Sequence, residues 1–220
     1  MVTHKNSSVI FPENGGTITK ISFQKKKTDR RSVFINNEYA FSVSEQTFLL
    51  FPLHVDQLLT ENQVSVIKNH EEYEKARDLA LRYLAIRMRS EYELANYLRK
   101  KEFDGQVILR ATRYCQERGY LDDTKYAEML TRDMININQY GTKKMYTLLR
   151  KRGISSEIIT PVLRDQVDQA EQLEMAQKLA QKKMKTIRDV SKAKEKIFRY
   201  LNQRGFNYSI VAEVVNRLFK

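Results

Sequence analysis

The 220-residue chain carries 39 Lys and Arg against 27 Asp and Glu, a formal net charge of +12, with 30% of its residues charged. That excess points to a polyanionic partner, nucleic acid ahead of an anionic membrane, although mixed charges also serve solubility. Lone Cys115 excludes an intrachain disulfide and fits a core position in a reducing compartment; with no bilayer-length apolar run and no apolar signal segment, a soluble cytoplasmic protein is expected.

Residues 1–16 hold turn formers without a sustained period and read as a loose arm. From Ile18 the period becomes two. Ile21 and Phe23 alternate with polar neighbours, and Val33 and Ile35 answer Tyr39, Phe41 and Val43 across Asn36 and Asn37. Asparagine tolerates the positive φ of a tight type I′ turn, so a hairpin is expected, with Lys25 to Arg31 as an exposed basic connection. The resulting sheet of two or three strands is too small to fold without a helix against it. Ser44 opens a short helix that Pro52 stops. Thr60 and Gln63 form a capping box that starts another, and a break is expected near Asn69 and His70. Residues 17–70 thus form an N-terminal unit of hairpin and short helices.

From Glu71 the spacing of Tyr73, Ala76, Ala80, Tyr83 and Leu84 is that of an amphipathic helix. A three-helix pattern then appears three times. Leu94, Leu98 and Phe103 correspond to Met145, Leu149 and Ile154, and to Ile197, Leu201 and Phe206; the last member recurs after 51 and then 52 residues. Ile108 and Ala111, Ile159 and Val162, and Val211 and Val214 follow at the same offsets, and Leu84, Ile135 and Ile187 precede at another. Such a period marks a tandem array whose units bury their apolar faces on themselves and on neighbours. The expected fold is mainly α: an elongated tandem array of three three-helix, helix-turn-helix-like repeats (71–120, 121–170, 171–220) behind a small N-terminal β-hairpin element. Ser90 with Glu93 caps the first middle helix; Gly141 precedes and Gly153 closes the second; Ser191 opens and Gly205 closes the third.

Each middle helix ends in cations: Arg99, Lys100 and Lys101; Arg150, Lys151 and Arg152; Arg199 and then Arg204. Helix-dipole complementarity accounts for cations in a last turn. It does not account for Lys143 and Lys144, or for Lys192, Lys194 and Lys196, which lie in first turns. From Lys178 to Arg204 there are ten cations and two acids, and Lys192, Lys196 and Arg199 share one helix face. With Arg87 and Arg89, these residues form the candidate basic face for a polyanion or an acidic protein. Tyr83, Tyr92, Tyr97, Tyr146 and Tyr200 lie near these cations, and their periodicity assigns them to core filling rather than base stacking.

No catalytic constellation is found. His4, His54 and His70 lack metal-ligand spacing and read as surface residues, and no phosphate loop or nucleophile elbow is present. Asp122 and Asp123 with Glu128 are the one carboxylate group that could hold Mg²⁺ in a nuclease-like site, but a helix N-cap role suffices for them. Neither metal nor cofactor is expected.

The run Arg118-Gly119-Tyr120-Leu121-Asp122-Asp123, followed by Tyr126-Ala127, closely resembles the RecX family of bacterial recombination regulators. The similarity extends to Ala85-Ile86-Arg87-Met88-Arg89-Ser90 with Glu93-Leu94, to Tyr140-Gly141, to Leu148 through Ile154, and to Glu38 through Val43. One departure is Glu102 ahead of Phe103, where the other repeats have glycine; Gly105 is expected to take over that turn. The resemblance implies a non-enzymatic regulator that binds RecA and the RecA filament on DNA and restrains its ATPase, strand-exchange and coprotease activities. A monomer that also binds single- and double-stranded DNA is expected; the alternative is a sequence-independent DNA-binding architectural protein acting without RecA.

Overall fold

The computed structural model describes residues 15–24 and 29–220. Two compact units are formed: the described residues up to Leu79 with Lys101–Ala111, and Ala80–Lys100 with Thr112–Lys220.

The first unit is built on an antiparallel sheet of order β3-β2-β1-β4, from β1 (Gly16–Phe23), β2 (Arg30–Ile35), β3 (Glu38–Ser44) and β4 (Leu58–Leu59). The β2–β3 hairpin turns on Asn36 and Asn37, at φ 51° and 69°, as the sequence predicts. Two expectations fail here. A fourth strand is present, because Leu58 and Leu59 pair with Thr17 and Gly16; a two-residue strand carries no alternation to read. Arg30 and Arg31 lie in β2 rather than in a basic loop, Asp29 lies in the turn before it, and residues 25–28 fall outside the described residues.

Ser44 caps α1 (Glu45–Leu50) and α2 runs unbroken from Glu61 to Ile86, its start closed by the Thr60–Gln63 capping box. The expected break at Asn69 and His70 does not occur. The buried face of α2 continues through Val64, Ile67, Glu71 and Glu74 at helical spacing, with two carboxylates where an apolar pattern would be sought. Glu71 is only 4% exposed and pairs with Arg30 at 2.7 Å; its other oxygen accepts from the Ser44 amide, the Ser44 hydroxyl and the Thr47 hydroxyl. Burial pushes its carboxyl up, and these hydrogen bonds outweigh burial and hold it below the ordinary range. Around this polar pin, Ile18, Val33, Ile35, Phe41 and Val43 from the sheet pack with Leu53, Leu59, Val64 and Ile67.

Three-helix modules fill the rest of the chain, with α3 (Glu91–Arg99), α4 (Gly105–Glu117), α5 (Asp123–Asn136), α6 (Thr142–Lys151), α7 (Ser156–Gln166), α8 (Gln169–Met184), α9 (Ala193–Gln203) and α10 (Tyr208–Leu218). The aligned apolar positions are core: Leu94, Leu98, Met145, Leu149, Ile154, Ile197, Leu201 and Phe206 are fully buried, while Phe103 is half-buried. The second repeat closes its own core from Tyr126 to Leu163, and the third from Ala176 to Val215. Each fully buried aliphatic side chain contributes about 1.5–3 kcal/mol, which makes the second and third repeats packing units in their own right. Cys115 is core filler, and burial pushes its thiol up to about 11. A 3-10 turn, Val190–Lys192, precedes α9 and is capped by Asp189, where Ser191 was expected to open the helix. Glu102 itself adopts φ 65°, and Gly105 opens α4 instead of making the turn.

Candidate binding surface

The basic residues divide according to what they touch. Where the second repeat meets α3, Glu93 is the centre: one carboxylate oxygen accepts from Arg87 at 3.0 Å and from Arg152 at 2.8 Å, and the other from the Ser90 amide at 3.2 Å. Arg87 also donates to the Tyr126 hydroxyl at 3.0 Å. Burial raises the Glu93 carboxyl, and its guanidinium and amide partners outweigh that and lower it. Ser90, fully buried, accepts from the Glu93 amide and donates its hydroxyl proton to the Arg152 carbonyl.

The same joint is rebuilt one repeat later in different atoms. Gly141 offers no side-chain cap to α6; its amide donates instead to the Arg204 carbonyl at 2.8 Å, and the Lys143 amide donates to the Gly205 carbonyl at 3.0 Å. Arg204 reaches back to donate to the carbonyls of Asn138 and Gln139, at 2.6 and 3.2 Å. Helix termini leave amides unsatisfied at one end and carbonyls at the other, so setting the C-terminal turn of one middle helix on the N-terminus of the previous one satisfies groups at both ends.

Arg87, Arg152 and Arg204, expected on the binding face, are therefore joint residues, and Arg150 donates to the Ile154 carbonyl at 3.1 Å. Arg89 covers the Tyr83 ring at 4.3 Å, and Tyr83 stacks on Tyr97 at 4.1 Å. Lys144 lies over Tyr140 at 4.3 Å, and Arg99 is held by Asn96. Arg199 pairs with Glu195 one turn away, and Lys101 is exposed. Lys100, Lys143, Lys151, Lys192, Lys194 and Lys196 are exposed, and none forms an ion pair with an acid among the described residues. The core-filling reading of the tyrosines holds for Tyr83, Tyr97 and Tyr200, which are at least half-buried, and fails for Tyr92 and Tyr146, which are exposed.

The carboxylates considered for metal binding are engaged in helix starts. Asp122 caps α5, accepting from the Lys125 amide at 3.0 Å, and Asp123 accepts from the Glu91 amide at 2.8 Å. Among the described residues no group of three or more His, Cys, Asp and Glu could hold a metal ion. His54 is exposed, whereas His70 is half-buried between Phe51 and Tyr73; His4 lies outside the described residues. No helix among the described residues is long and apolar enough to cross a membrane.

A small sheet followed by jointed three-helix modules defines a helical-repeat protein. Four family descriptions match in succession: "Regulatory protein RecX N-terminal domain" over residues 16–60, and the first, second and third three-helix domains of RecX over 76–115, 122–163 and 170–215. The chain belongs to the RecX family of regulatory proteins. It is 34% identical over 191 residues to "Regulatory protein RecX" of Listeria monocytogenes serotype 4b, covering 86% of this chain and 71% of that one. To the Clostridium acetobutylicum protein of the same name it is 32% identical, covering 92% and 96%. A crystal structure described as regulatory protein RecX superposes with a TM-score of 0.72 at 27% identity, over 91% of this chain and 98% of that one.

Proposed function

We propose that this protein is a non-enzymatic, monomeric cytoplasmic regulator that binds RecA and the RecA filament on DNA. It restrains ATP hydrolysis, strand exchange and coprotease activity, and thereby regulates recombination, DNA repair and the SOS response. Family membership along the sheet and all three repeats is the observation that carries this reading. Its physical support is the joint: contacts at Glu93, Gly141 and Arg204 tie middle helices to the repeat that follows, and several similar modules in one chain suit contact with successive protomers of a polymer. Within the basic face, Lys100, Lys143, Lys151, Lys192, Lys194 and Lys196 supply the electrostatics, with Arg99, Lys101 and Arg199 beside them.

The test is RecA ATPase activity on single-stranded DNA with and without the protein. Inhibition at amounts below one protein per RecA protomer is expected. Unchanged hydrolysis, together with tight binding to bare single- and double-stranded DNA, would replace the regulator by an architectural DNA-binding protein.

A further inference from the structure

Cations left over from the joints converge in the third repeat. Lys183 and Arg188, at the end of α8 and in the loop after it, and Lys196 and Arg199 from α9 surround a cavity of about 470 Å³ that no carboxylate lines. Two acids stand beside it: Asp189 caps the 3-10 turn through Ser191 and is also attracted by Lys196, and Glu195 pairs with Arg199. Dipole complementarity explains Lys183 in the last turn of α8, but not Lys196 and Arg199 further along α9, nor Arg188 in the loop. Half-buried Ile187 and Tyr200 also line the cavity. The Tyr200 ring is flanked by Lys183 at 5.7 Å and Arg204 at 5.4 Å, which positions the ammonium group in advance.

Cations around an apolar wall suit a phosphodiester whose sugar meets Ile187. Acidic side chains of a protein partner would leave that wall unmatched. We propose that this cavity binds backbone phosphates of single-stranded nucleic acid. The proposal deepens the basic-face reading of the third repeat given above, but it requires no RecA.

The experiment uses the full chain, without RecA, and a fluorescent oligothymidylate titrated at several salt concentrations. Each phosphate contact on a single strand contributes about 0.7 to the slope of log affinity against log salt. The Lys183→Gln/Lys196→Gln variant is expected to lose about 1.4 of that slope and roughly tenfold or more in low-salt affinity. Lys196→Gln alone, on an exposed side chain that leaves the fold intact, loses about half that slope. Arg113→Gln/Arg132→Gln, an equal charge change at exposed positions of α4 and α5 outside the basic face, should cost less than about threefold if the cavity is the site. Equal weakening by the two double variants, or none in the cavity variant, overturns the proposal. So does a cavity variant that binds the oligonucleotide normally and loses affinity for free RecA. Failure to inhibit RecA ATPase, with cavity-dependent strand binding intact, sinks the regulator reading and leaves the site standing.

Discussion

Gly153 and Gly205 hold φ of 82° and 85°, but conformation alone does not demand glycine, because Glu102 at the equivalent place sits at φ 65°. Contact does. A Cβ on Gly153 would lie 2.1 Å from that of Tyr92, and one on Gly205 2.4 Å from that of Lys144, so each glycine is the surface on which the previous repeat's middle helix rests. Glu102 is exposed, and its residue type is restricted only by the modest penalty of left-handed backbone. Gly153→Ala should therefore destabilise the protein by about 1–3 kcal/mol, read from urea denaturation, while Glu102→Gly should be neutral or stabilising by up to about 1 kcal/mol. Similar losses for the two would remove the joint explanation. The pair Arg-Gly at 152–153 and 204–205 was visible in the sequence as cations before a turn. Its joint role was not, because an arginine that points at a neighbouring repeat and one that points at a phosphate occupy the same place in a linear pattern.

At the scale of elements, legibility followed whether a buried face was apolar. The middle and third helices of every repeat were readable from leucine, isoleucine and valine spacing, and their core positions are buried as that spacing requires. The centre of helix α2 is not legible in the sequence because Glu71 and Glu74 occupy its inner face, and a carboxylate can do so only with partners that distant sequence supplies. In the same way the sequence showed Glu93 as part of a capping box and gave no sign of its two guanidinium partners. Glu93→Gln should destabilise by about 1–3 kcal/mol near neutral pH, since two arginines lose their charged acceptor. Glu71 and Glu93 are both lowered below the ordinary carboxyl range. Their stabilisation is therefore complete above the unfolded-state value of about 4.3 and is lost as pH falls through their lower native values. Urea midpoints taken from pH 6 down to pH 3 should fall for the native protein, and the gap to Glu93→Gln should narrow with them; a constant gap would mean that the carboxylate charge is not what holds the joint.

For the whole molecule, a net charge of +12 is partly structural, since Arg87, Arg152 and Arg204 are committed to joints, and the remaining cations occur in all three repeats and are densest in the third. Contacts spread over modules make affinity for a polymer a product of several weak engagements. Removal of the third repeat tests this, and the fold permits it: the core of the second repeat is complete by Val167, and that of the third is assembled from its own helices. A chain ending at Val167 should still unfold cooperatively. In the proposed function it should bind free RecA within a few-fold of the full chain, while its affinity for the RecA filament on single-stranded DNA falls by about 10² or more. Titrating both proteins against free RecA and against filament separates the outcomes, because bridging predicts a loss confined to the filament, and an equal loss on both would mean that the third repeat contacts one protomer only.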